Sequence, residues 1–533
     1  KSAAIFPLPK LHRLLRSGKI KKEDLADILP EVPHSLNESF QYVTRKLDSS
    51  TAIVFLDLLK NSFTKLKETE FADEVNIEAN LNWLNSAIAD CWIDRGTHPG
   101  LGSMLEWLGH PQGTSFYRDS LKPLEKEGKN PVRELKSLLN GETQPPADQK
   151  RKFKVAIEKW NSLPDDEFRD SLLHSFSRFM LSKDQLNIIL DQNSDKREQY
   201  GLVSKVEMVL ENPYLLTEEM QIDGSTIPFE LIDQGLCPAA DLGYDSLFEP
   251  EDSDRLRAIA YDILREESNV GHTWTPENIL LEQMNSRSTG NHPLSIDTYR
   301  LKSCRPSWEK KIGYISNVNG YALNDIEQDE QLIAKFLESF GGQYEISDIK
   351  DPGEDYWKEK LNFVPASGVD ISDVISDQAD ACRKVYHSKI SSICGSAGTG
   401  KTSTLRALID TISNRDGEEV VQLAFTGRAV QVLKRKTNRE AKTVHRFLMD
   451  NNWLWEKTYL PKRTGGNTQD VTNLVIDDAS MLDLQLFSLL LRSINWKRLK
   501  RVIFVGDPFQ LPPIGPGRLF VDILSALNPN NDA

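Results

Sequence analysis

The stretch Gly395-Ser396-Ala397-Gly398-Thr399-Gly400-Lys401-Thr402 decides the fold of this chain, because it follows the spacing G-x-x-x-x-G-K-T. Glycines at this spacing let the backbone curl so that successive N–H groups point at one anion. The spacing is typical of a phosphate-binding loop between a strand and a helix, whose positive N-terminal end also attracts an anion. A glycine-rich turn can match the pattern by chance, so the interpretation depends on the flanking residues.

The residues around the loop predict alternating strands and helices. An apolar run at 390–394 precedes the loop, and a helix is predicted after it at 403–412. Further apolar strands are predicted at 420–425, 473–476 and 501–505. This alternation predicts an α/β domain with a parallel sheet over residues 371–533. Polar residues follow each strand, at the edge where open parallel sheets bind their ligands.

The loop and the start of the next helix supply the groups that a Mg²⁺-nucleoside triphosphate needs. The Lys401 ammonium can reach the β- and γ-phosphates, and the Thr402 hydroxyl can hold Mg²⁺. ATP and Mg²⁺ are therefore the predicted cofactors. The predicted nucleotide contacts of the loop are Gly395, Gly398, Thr399, Gly400, Lys401, Thr402 and Ser403.

An acidic pair, Asp477-Asp478, follows the predicted strand at 473–476. Asp477 is placed to hold Mg²⁺ through water, and Asp478 to activate an attacking water. An acidic pair after an apolar strand can also cap a helix. Beside a phosphate loop the catalytic interpretation is preferred.

The net charge of -14 excludes a uniformly basic nucleic-acid-binding protein. The charge is uneven, because residues 371–533 sum to +5 and residues 1–370 to -19. This asymmetry indicates that an anionic ligand meets the C-terminal third, although ordinary sampling of surface charge also produces such differences. Six basic residues cluster there, and they fit either a phosphate backbone or a solvated helix face: Lys434, Arg435, Lys436, Arg439, Lys442 and Arg446.

The cysteines and the hydropathy restrict the class of protein. The five cysteines are far apart and form no C-x-x-C, which argues against a disulfide framework or a zinc site. A reducing compartment, the cytoplasm, is therefore expected. No stretch approaches the roughly 18 apolar residues of a membrane span, so no membrane partner is expected.

Residues 1–370 are predicted to be mainly helical and to carry no recognisable catalytic motif. Helices are expected at 52–67, 79–93 and 321–337. Loops and composition divide the chain into four predicted parts. They are a helical N-terminal region of unknown role at 1–200, a helical domain at 201–345, a linker at 346–370 and the α/β domain at 371–533.

Several elements in order resemble the first motor domain of superfamily 1 helicases, in the RecD-like branch. They are Gln378 ahead of the loop, the phosphate loop itself, Ala424-Phe425-Thr426-Gly427-Arg428-Ala429, Thr443-Val444-His445-Arg446, Asp477-Asp478-Ala479-Ser480 and Gly506-Asp507-Pro508-Phe509-Gln510-Leu511-Pro512-Pro513-Ile514-Gly515. The resemblance implies a RecA-like P-loop NTPase fold for residues 371–533.

The same resemblance implies residue roles. Gln378 would read the adenine of ATP, and Gln510 would sense the γ-phosphate and link it to DNA contacts. Lys401, Asp477 and Asp478 would complete the catalytic set with Gln510. The implied contacts to DNA are Thr426, Arg428, Thr443, His445 and Arg446.

Upstream, Asn212-Pro213-Tyr214 and Gly271-His272-Thr273 resemble the non-motor N-terminal domain of the longer RecD-like helicases. The sequence departs from the family at two places. Asp478 stands where the family has glutamate, which places the carboxylate one methylene further back. Ile227-Pro228-Phe229-Glu230 replaces the glycine-rich turns of a helix-hairpin-helix.

The resemblance implies an ATP-dependent DNA helicase or translocase acting on single-stranded DNA, 5′ to 3′, in DNA repair, recombination or phage defence. The alternative is an ATP-binding switch or scaffold subunit of a nuclease–helicase complex. The third motif lies near the end of the chain, so a second RecA-like domain is expected from a missing C-terminal part or from another chain. Nuclease or repair subunits are further expected partners.

Overall fold

The computed structural model describes residues 48–67, 76–222, 225–239, 242–287, 294–341, 345–346, 349–361, 372–396 and 399–527. These described residues form two compact units, one within 1–263 and 278–307 and the other within 264–277 and 308–533. None of the helices in these ranges is both long and apolar enough to cross a membrane.

The first unit is helical, as predicted for the N-terminal part of the chain. Among the described residues of this unit there is one short hairpin, in which β1 (Gln221–Ile222) pairs with β2 (Ser225–Thr226). The helices of this part are α1 (Ser49–Lys67), α2 (Ile77–Arg95), α3 (Leu101–Leu108), α4 (Gly113–Phe116), α5 (Pro123–Lys126), α6 (Pro131–Leu139), α7 (Lys150–Asn161), α8 (Asp166–Phe176), α9 (Lys183–Ile189), α10 (Ser194–Glu198), α11 (Val206–Glu211), α12 (Leu215–Glu219), α13 (Phe229–Leu236), α14 (Ser253–Asn269), α15 (Glu277–Ser286) and α16 (Thr298–Trp308). The boundary between the two units falls within each of the last three helices.

Local sequence explains where several of these helices begin. The Asp165 carboxylate accepts the Phe168 N–H at 2.7 Å and caps α8. Ser182 and Gln185 form a reciprocal capping box at the start of α9. Apolar side chains at helical spacing then face inward, and Leu172, Leu173 and Phe176 of α8 are buried.

The first unit contains a buried ion pair. The Arg255 guanidinium donates to both carboxylate oxygens of Asp233, at 2.7 and 2.9 Å, and both side chains are fully buried. The Tyr214 hydroxyl donates to the same carboxylate at 2.7 Å. Tyr214 of the Asn-Pro-Tyr stretch is therefore structural, because its hydroxyl satisfies a buried charge.

The second unit contains a five-stranded parallel sheet, as predicted for an α/β P-loop domain. The strands are β6 (Ile390–Cys394), β7 (Val420–Ala424), β8 (Lys442–Thr443), β9 (Asn473–Asp477) and β10 (Arg501–Gly506). Their order in the sheet is β6-β10-β9-β7-β8. The helices of this part are α17 (Asn324–Gly341), α18 (Glu354–Leu361), α19 (Ser372–His387), α20 (Lys401–Asp410), α21 (Gly427–Thr437), α22 (Val444–Asp450), α23 (Leu484–Arg492) and α24 (Leu519–Leu527).

The register of the sheet aligns the ends of its strands. Gly506 of β10 pairs with Cys394 of β6, and Val505 pairs with Asp477 of β9. Asp477 also pairs with Ala424 of β7, which in turn pairs with Thr443 of β8. Because all five strands are parallel, the loops that follow them lie along one edge.

Two predictions upstream of this sheet are wrong in detail. The helix predicted at 321–337 begins only at Asn324, because Gly320–Leu323 is a fully buried strand, β5. It pairs with β3 (Thr275–Pro276) and β4 (Ile312–Ile315), so the range 201–345 contains an antiparallel sheet besides helices. A short buried apolar run fits a strand or a helix equally well by periodicity.

The range predicted as a linker, 346–370, contains the helix α18. Trp357 of this helix is fully buried in the core of the α/β domain, with Tyr386, Leu408 and Ile412 around it. The rest of the predicted linker lies largely outside the described residues, and the four-part division of the chain stays a prediction.

Trp357→Ala should lower the free energy of unfolding of the α/β domain by about 3–5 kcal/mol, because it empties a large core site. Chemical denaturation followed by far-UV circular dichroism measures the change. Glu359→Ala on the exposed side of the same helix is the control and should change stability by less than about 0.5 kcal/mol. Equal effects of the two substitutions would contradict the placement of α18 in the core.

Candidate functional site

The predicted phosphate loop lies between β6 and α20, at the edge where the parallel strands end. The Lys401 ammonium donates to the backbone carbonyls of Gly395 and Ser396, the latter at 2.9 Å, so its charge lies within the curve of the loop. The Thr399 hydroxyl donates to the Ser396 carbonyl at 2.9 Å. Thr402 and Ser403 fall in the first turn of α20. Gly398 lies outside the described residues.

Gln378 of α19 lies against this loop, as its predicted role in reading the base requires. Its side-chain N–H donates to the Thr399 carbonyl at 3.4 Å. Its carbonyl oxygen Oε1 is buried and has no hydrogen-bond partner among the described residues. Gly400 has φ 94°, and a β-carbon there would collide with the Gln378 amide. Only glycine therefore fits this approach of loop and glutamine.

The acidic pair comes at the end of β9, facing the loop side of the sheet edge. The Asp477 carboxylate accepts the Asp478 N–H at 3.0 Å. Burial, followed by repulsion from Asp478, raises the pKa of Asp477 to about 6, against the opposing effect of Lys401 and Lys436. Burial also raises the pKa of Asp478, again opposed by Lys401. Two half-buried carboxylates of raised pKa beside an ammonium are suited to binding a divalent cation.

Asp478 has φ 54°, in the left-handed region that non-glycine residues rarely adopt. This conformation ends β9 and starts the short 3₁₀ turn Ala479–Met481. The strain falls on the residue predicted to be the catalytic base, and such strain is common at functional sites. Asp478 does not cap that turn through its side chain, which disfavours the capping alternative for this residue.

Gln510 is joined to the acidic motif by a contact that no local pattern predicts. The Ser480 hydroxyl donates to the Gln510 side-chain oxygen at 3.3 Å. Asp507 starts the same loop and its carboxylate accepts the Phe509 N–H at 3.1 Å. The loop after β10 therefore contacts the segment after β9 through a side-chain hydrogen bond.

The residues present fit a Mg²⁺-nucleotide. An unpartnered buried amide oxygen on Gln378, a lysine inside a glycine-bounded loop and two carboxylates meet at one edge. Lys401, Thr402 and the loop N–H groups would hold the phosphates, and Thr402 with Asp477 would hold the metal. Sequence analysis found all of these groups; it also quoted Ser480 within the acidic motif but gave it no role.

Of the predicted DNA contacts, Thr426 and Thr443 serve first as helix caps. The Thr426 hydroxyl accepts the Ala429 N–H at 3.1 Å at the start of α21. The Thr443 hydroxyl accepts the Arg446 N–H at 3.0 Å at the start of α22. Because Ala424 pairs with Thr443, the two capped helix starts are neighbours on the sheet edge.

The basic cluster is partly neutralised by nearby carboxylates. Lys434 pairs with Glu440 at 2.5 Å, and Lys442 and Arg446 share Asp450 at 2.7 and 2.8 Å. No carboxylate lies within ion-pair distance of three cations among the described residues: Arg428, Arg435 and Lys436. The ion pairs that Lys434, Lys442 and Arg446 form are exposed, and exposed ion pairs contribute little to stability.

His445 is packed between two aromatic rings. Phe425 and Tyr459 each lie 6.0 Å from it by ring centroid, both edge-on. Burial lowers the pKa of His445, opposed by Asp483, which favours a neutral imidazole. Tyr459 is 54% exposed and was missed by sequence reasoning, since an isolated aromatic in a loop carries no recognisable pattern.

Comparisons with known proteins find relatives of the region that contains this site. Residues 374–531 match a family model described as an AAA domain. The chain is 32% identical over 127 residues to the ATP-dependent DNA helicase dda of Enterobacteria phage T4, covering 24% of this chain and 28% of that protein. It is 32% identical over 141 residues to the ATP-dependent RecD2 DNA helicase of Deinococcus radiodurans, covering 26% of this chain and 18% of that protein.

These matches support a superfamily 1 helicase of the RecD-like type for the C-terminal region.

A longer match extends beyond this RecD-like region. An uncharacterized protein of Methanocaldococcus jannaschii is 25% identical over 488 residues, covering 84% of this chain and 40% of that protein. The chain therefore spans less than half the length of each of these three relatives.

The raised pKa of Asp477 predicts that Asp477→Asn increases the stability of the fold, by an amount that depends on pH. Because the native state holds this proton more tightly than the unfolded chain does, ionisation destabilises the fold progressively from about pH 4 to about pH 6. Without Mg²⁺ or nucleotide, the asparagine variant should be more stable at pH 7 by on the order of 1–2 kcal/mol, and nearly equal at pH 4.

Thermal unfolding of the full chain at pH 4, 5, 6 and 7 measures this difference. Asp470→Asn, at an exposed carboxylate paired with Arg498, is the control and should show no comparable gain. A pH-independent effect of Asp477→Asn would contradict the burial of an ionised carboxylate there.

Proposed function

We propose that this chain works as an ATP-dependent DNA helicase or translocase on single-stranded DNA. The observation that carries the proposal is that one sheet edge brings together the phosphate loop, the acidic pair and the two helix starts at Thr426 and Thr443. The names of the phage T4 and Deinococcus relatives support the same activity. A 5′ to 3′ direction and a role in DNA repair, recombination or phage defence follow the family resemblance alone.

Each step of the proposed reaction is assigned to a residue. Lys401 would neutralise the β- and γ-phosphates, and Gln378 would meet the base through its unpartnered carbonyl oxygen. Mg²⁺, when bound, would offset the negative charge on the phosphates. Asp478 would accept the proton of the attacking water, since burial makes its carboxylate a stronger base than an exposed one. Gln510 would respond to the γ-phosphate and transmit its position through Ser480 to the end of β9.

We further propose that a second RecA-like domain, on the same chain or another, supplies arginines to this site. Three apolar side chains of the loop after β10 support this proposal, because Phe509, Leu511 and Ile514 are 96%, 85% and 95% exposed. Adjacent exposed apolar groups favour a covering protein surface. An arginine from a facing domain would raise turnover by about 10³–10⁵-fold.

A second candidate function is an ATP-binding switch or scaffold subunit of a nuclease–helicase complex. The observation that favours it is Asp478, which is shorter than the family's glutamate and is held at φ 54°. A base that is displaced from the water would allow ATP to bind with slow turnover. The two functions differ in whether single-stranded DNA stimulates hydrolysis.

Asp478→Asn should reduce DNA-stimulated ATP hydrolysis by about 10²–10⁴-fold while ATP still binds, because it removes a positioned base. Lys401→Ala should instead weaken nucleotide binding itself. Steady-state hydrolysis with and without single-stranded DNA, together with ATP titration, separates the two effects. If Asp478→Asn turns over like the parent, Asp478 is not the base and the switch function is favoured.

Asp478→Glu is the matched variant, because it restores the family's residue without changing charge. Higher turnover in this variant would identify a natural site of reduced efficiency. Unchanged or lower turnover would indicate that the loop geometry is adapted to aspartate.

Arg428→Ala should weaken binding of single-stranded DNA and lower its salt dependence by about one released ion, with little effect on ATP affinity. Arg428 is exposed at the start of α21 and has no carboxylate partner among the described residues. Fluorescence anisotropy of a labelled oligonucleotide across a salt series measures both quantities.

Arg498→Ala is the control, since Arg498 is also exposed but precedes β10, at the opposite edge of the sheet. Equal loss of DNA affinity in both variants would mean that binding depends on overall charge and not on the proposed edge.

A further inference from the structure

The helical first unit contains a polar cavity that the nucleotide and DNA sites do not use. Its volume is about 280 Å³, close to the small end of the roughly 300–1,000 Å³ typical of small-molecule sites. The walls come from the end of α2, the start of α6, the end of α8, the end of α13 and the loop at 243–245. The site therefore combines residues of the N-terminal region at 1–200, for which the sequence indicates no role, with residues of the predicted domain at 201–345.

Arg95 and Arg178 give this cavity its positive charge, against a single lining carboxylate, Asp245. His98 and His174 also line it; His98 lies 3.8 Å from Glu125, and burial lowers the pKa of His174 and favours its neutral imidazole. No carboxylate of the described residues lies within ion-pair distance of either guanidinium. Burial lowers the pKa of Arg95 to about 10, partly opposed by Tyr117, Tyr244, Glu125 and Asp48. An anion in the cavity would offset this cost of burying a cation.

Some N–H groups of Arg95 and Arg178 donate hydrogen bonds to residues in and next to the cavity walls. Arg95 donates to the Ser50 hydroxyl, the Gly96 carbonyl and the Arg178 carbonyl, at 3.1, 3.0 and 2.5 Å. Arg178 donates to the carbonyls of His174 and Asp245. A guanidinium carries five N–H groups, so both arginines keep donors for a ligand while their positions are fixed.

Two buried polar atoms in the walls have no hydrogen-bond partner among the described residues. They are the Ser177 hydroxyl, which is fully buried, and the Gln234 carbonyl oxygen, whose residue is 3% exposed. The Gln234 N–H group donates to the Ser50 carbonyl at 3.1 Å, which fixes the amide and leaves its oxygen without a donor. Buried polar groups are nearly always paired, so these two atoms indicate a ligand with both an acceptor and a donor.

One aromatic ring completes the lining. Tyr244 lies in the wall, and its ring packs edge-to-face on Trp92 at 6.1 Å. Trp92 also packs against the Arg95 guanidinium at 5.2 Å. An aromatic ring held in this way next to cationic groups suits a nucleobase attached to a phosphate.

We propose that this cavity binds one nucleotide through a terminal phosphate, either as a free nucleoside monophosphate or as the phosphorylated end of a strand. Arg178, His174 and the Ser177 hydroxyl would contact the phosphate. The base would contact Tyr244, and one of its N–H groups would donate to the Gln234 oxygen. This site lies in the first unit, so the proposal does not depend on the proposed helicase activity.

The decisive variant is Ser177→Ala, because it removes a hydroxyl that has no protein partner and should leave the fold as stable as the parent or more so. Isothermal titration with deoxyadenosine monophosphate, in full-length Lys401→Ala protein to suppress the phosphate loop, should show about tenfold weaker binding on adding this change. His174→Ala, at an exposed side chain, should weaken binding by a similar factor.

Ser175→Ala is the matched control. Its hydroxyl is also buried, but it donates to the Leu210 carbonyl at 2.5 Å and does not line the cavity. This variant should lose stability and keep its affinity, the reverse of Ser177→Ala. No binding of deoxyadenosine monophosphate, or binding that Ser177→Ala leaves unchanged, would overturn the proposal.

Further titrations identify the ligand chemistry. Deoxyadenosine or inorganic phosphate that binds as tightly as the monophosphate would overturn the requirement for a complete nucleotide. Competition by 5′- or 3′-phosphorylated tetranucleotides, but not by the hydroxyl-ended form, would support a strand end. Absence of competition by all three would support a free nucleotide, and equal competition by the hydroxyl-ended form would overturn recognition of a terminal phosphate.

Discussion

The parallel pairing of β10 with two neighbours is the constraint on which the α/β domain depends. Every residue of this strand is buried, and β6 and β9 pair with it on either side in the same direction. At its start, the buried Arg501 guanidinium donates to Glu418 and Asn473 at 2.8 and 2.9 Å and to the Tyr386 carbonyl at 3.0 Å. A buried cation needs such partners, so this network fixes the start of three strands and thereby aligns their opposite ends.

The aligned strand ends bring two carboxylates together at a place where partial burial raises the free energy of their charged forms. Asp477 ends a strand whose other residues are buried, and Asp478 follows it in a strained conformation. The sheet edge thus holds two carboxylates whose pKa values are raised, next to a lysine held by loop carbonyls. A bound cation would reduce the repulsion between the two carboxylates, and a bound polyphosphate would accept hydrogen bonds from the N–H groups of the phosphate loop. Relief of this energetic cost would add to the affinity of the edge for a charged ligand.

Much of this edge could be predicted from the sequence, because each strand is a short apolar run followed by polar residues. All four predicted strands of the sheet occur within one residue of their predicted ends. The errors have physical causes: the buried run Gly320–Leu323 fits strand or helix, and α18 is too short for one buried tryptophan to stand out as a pattern. The Ser480–Gln510 contact joins residues 30 apart, which no local spacing reveals. The unpaired Ser177 hydroxyl likewise required the packing of several helices to be known.

The charge distribution links the two kinds of anionic ligand that the α/β domain is proposed to bind. Lys436 lowers the pKa of Asp477 from the far end of α21, whose first turn carries Arg428. Helix α21 thus carries a predicted DNA contact, Arg428, in its first turn and, near its other end, Lys436, whose charge acts on Asp477. Paired cations such as Arg446 can exchange a carboxylate for a phosphate at small cost, because exposed ion pairs are weak. A surface built from such exchangeable pairs would bind a nucleic-acid backbone loosely and with strong dependence on salt, as movement along a strand requires.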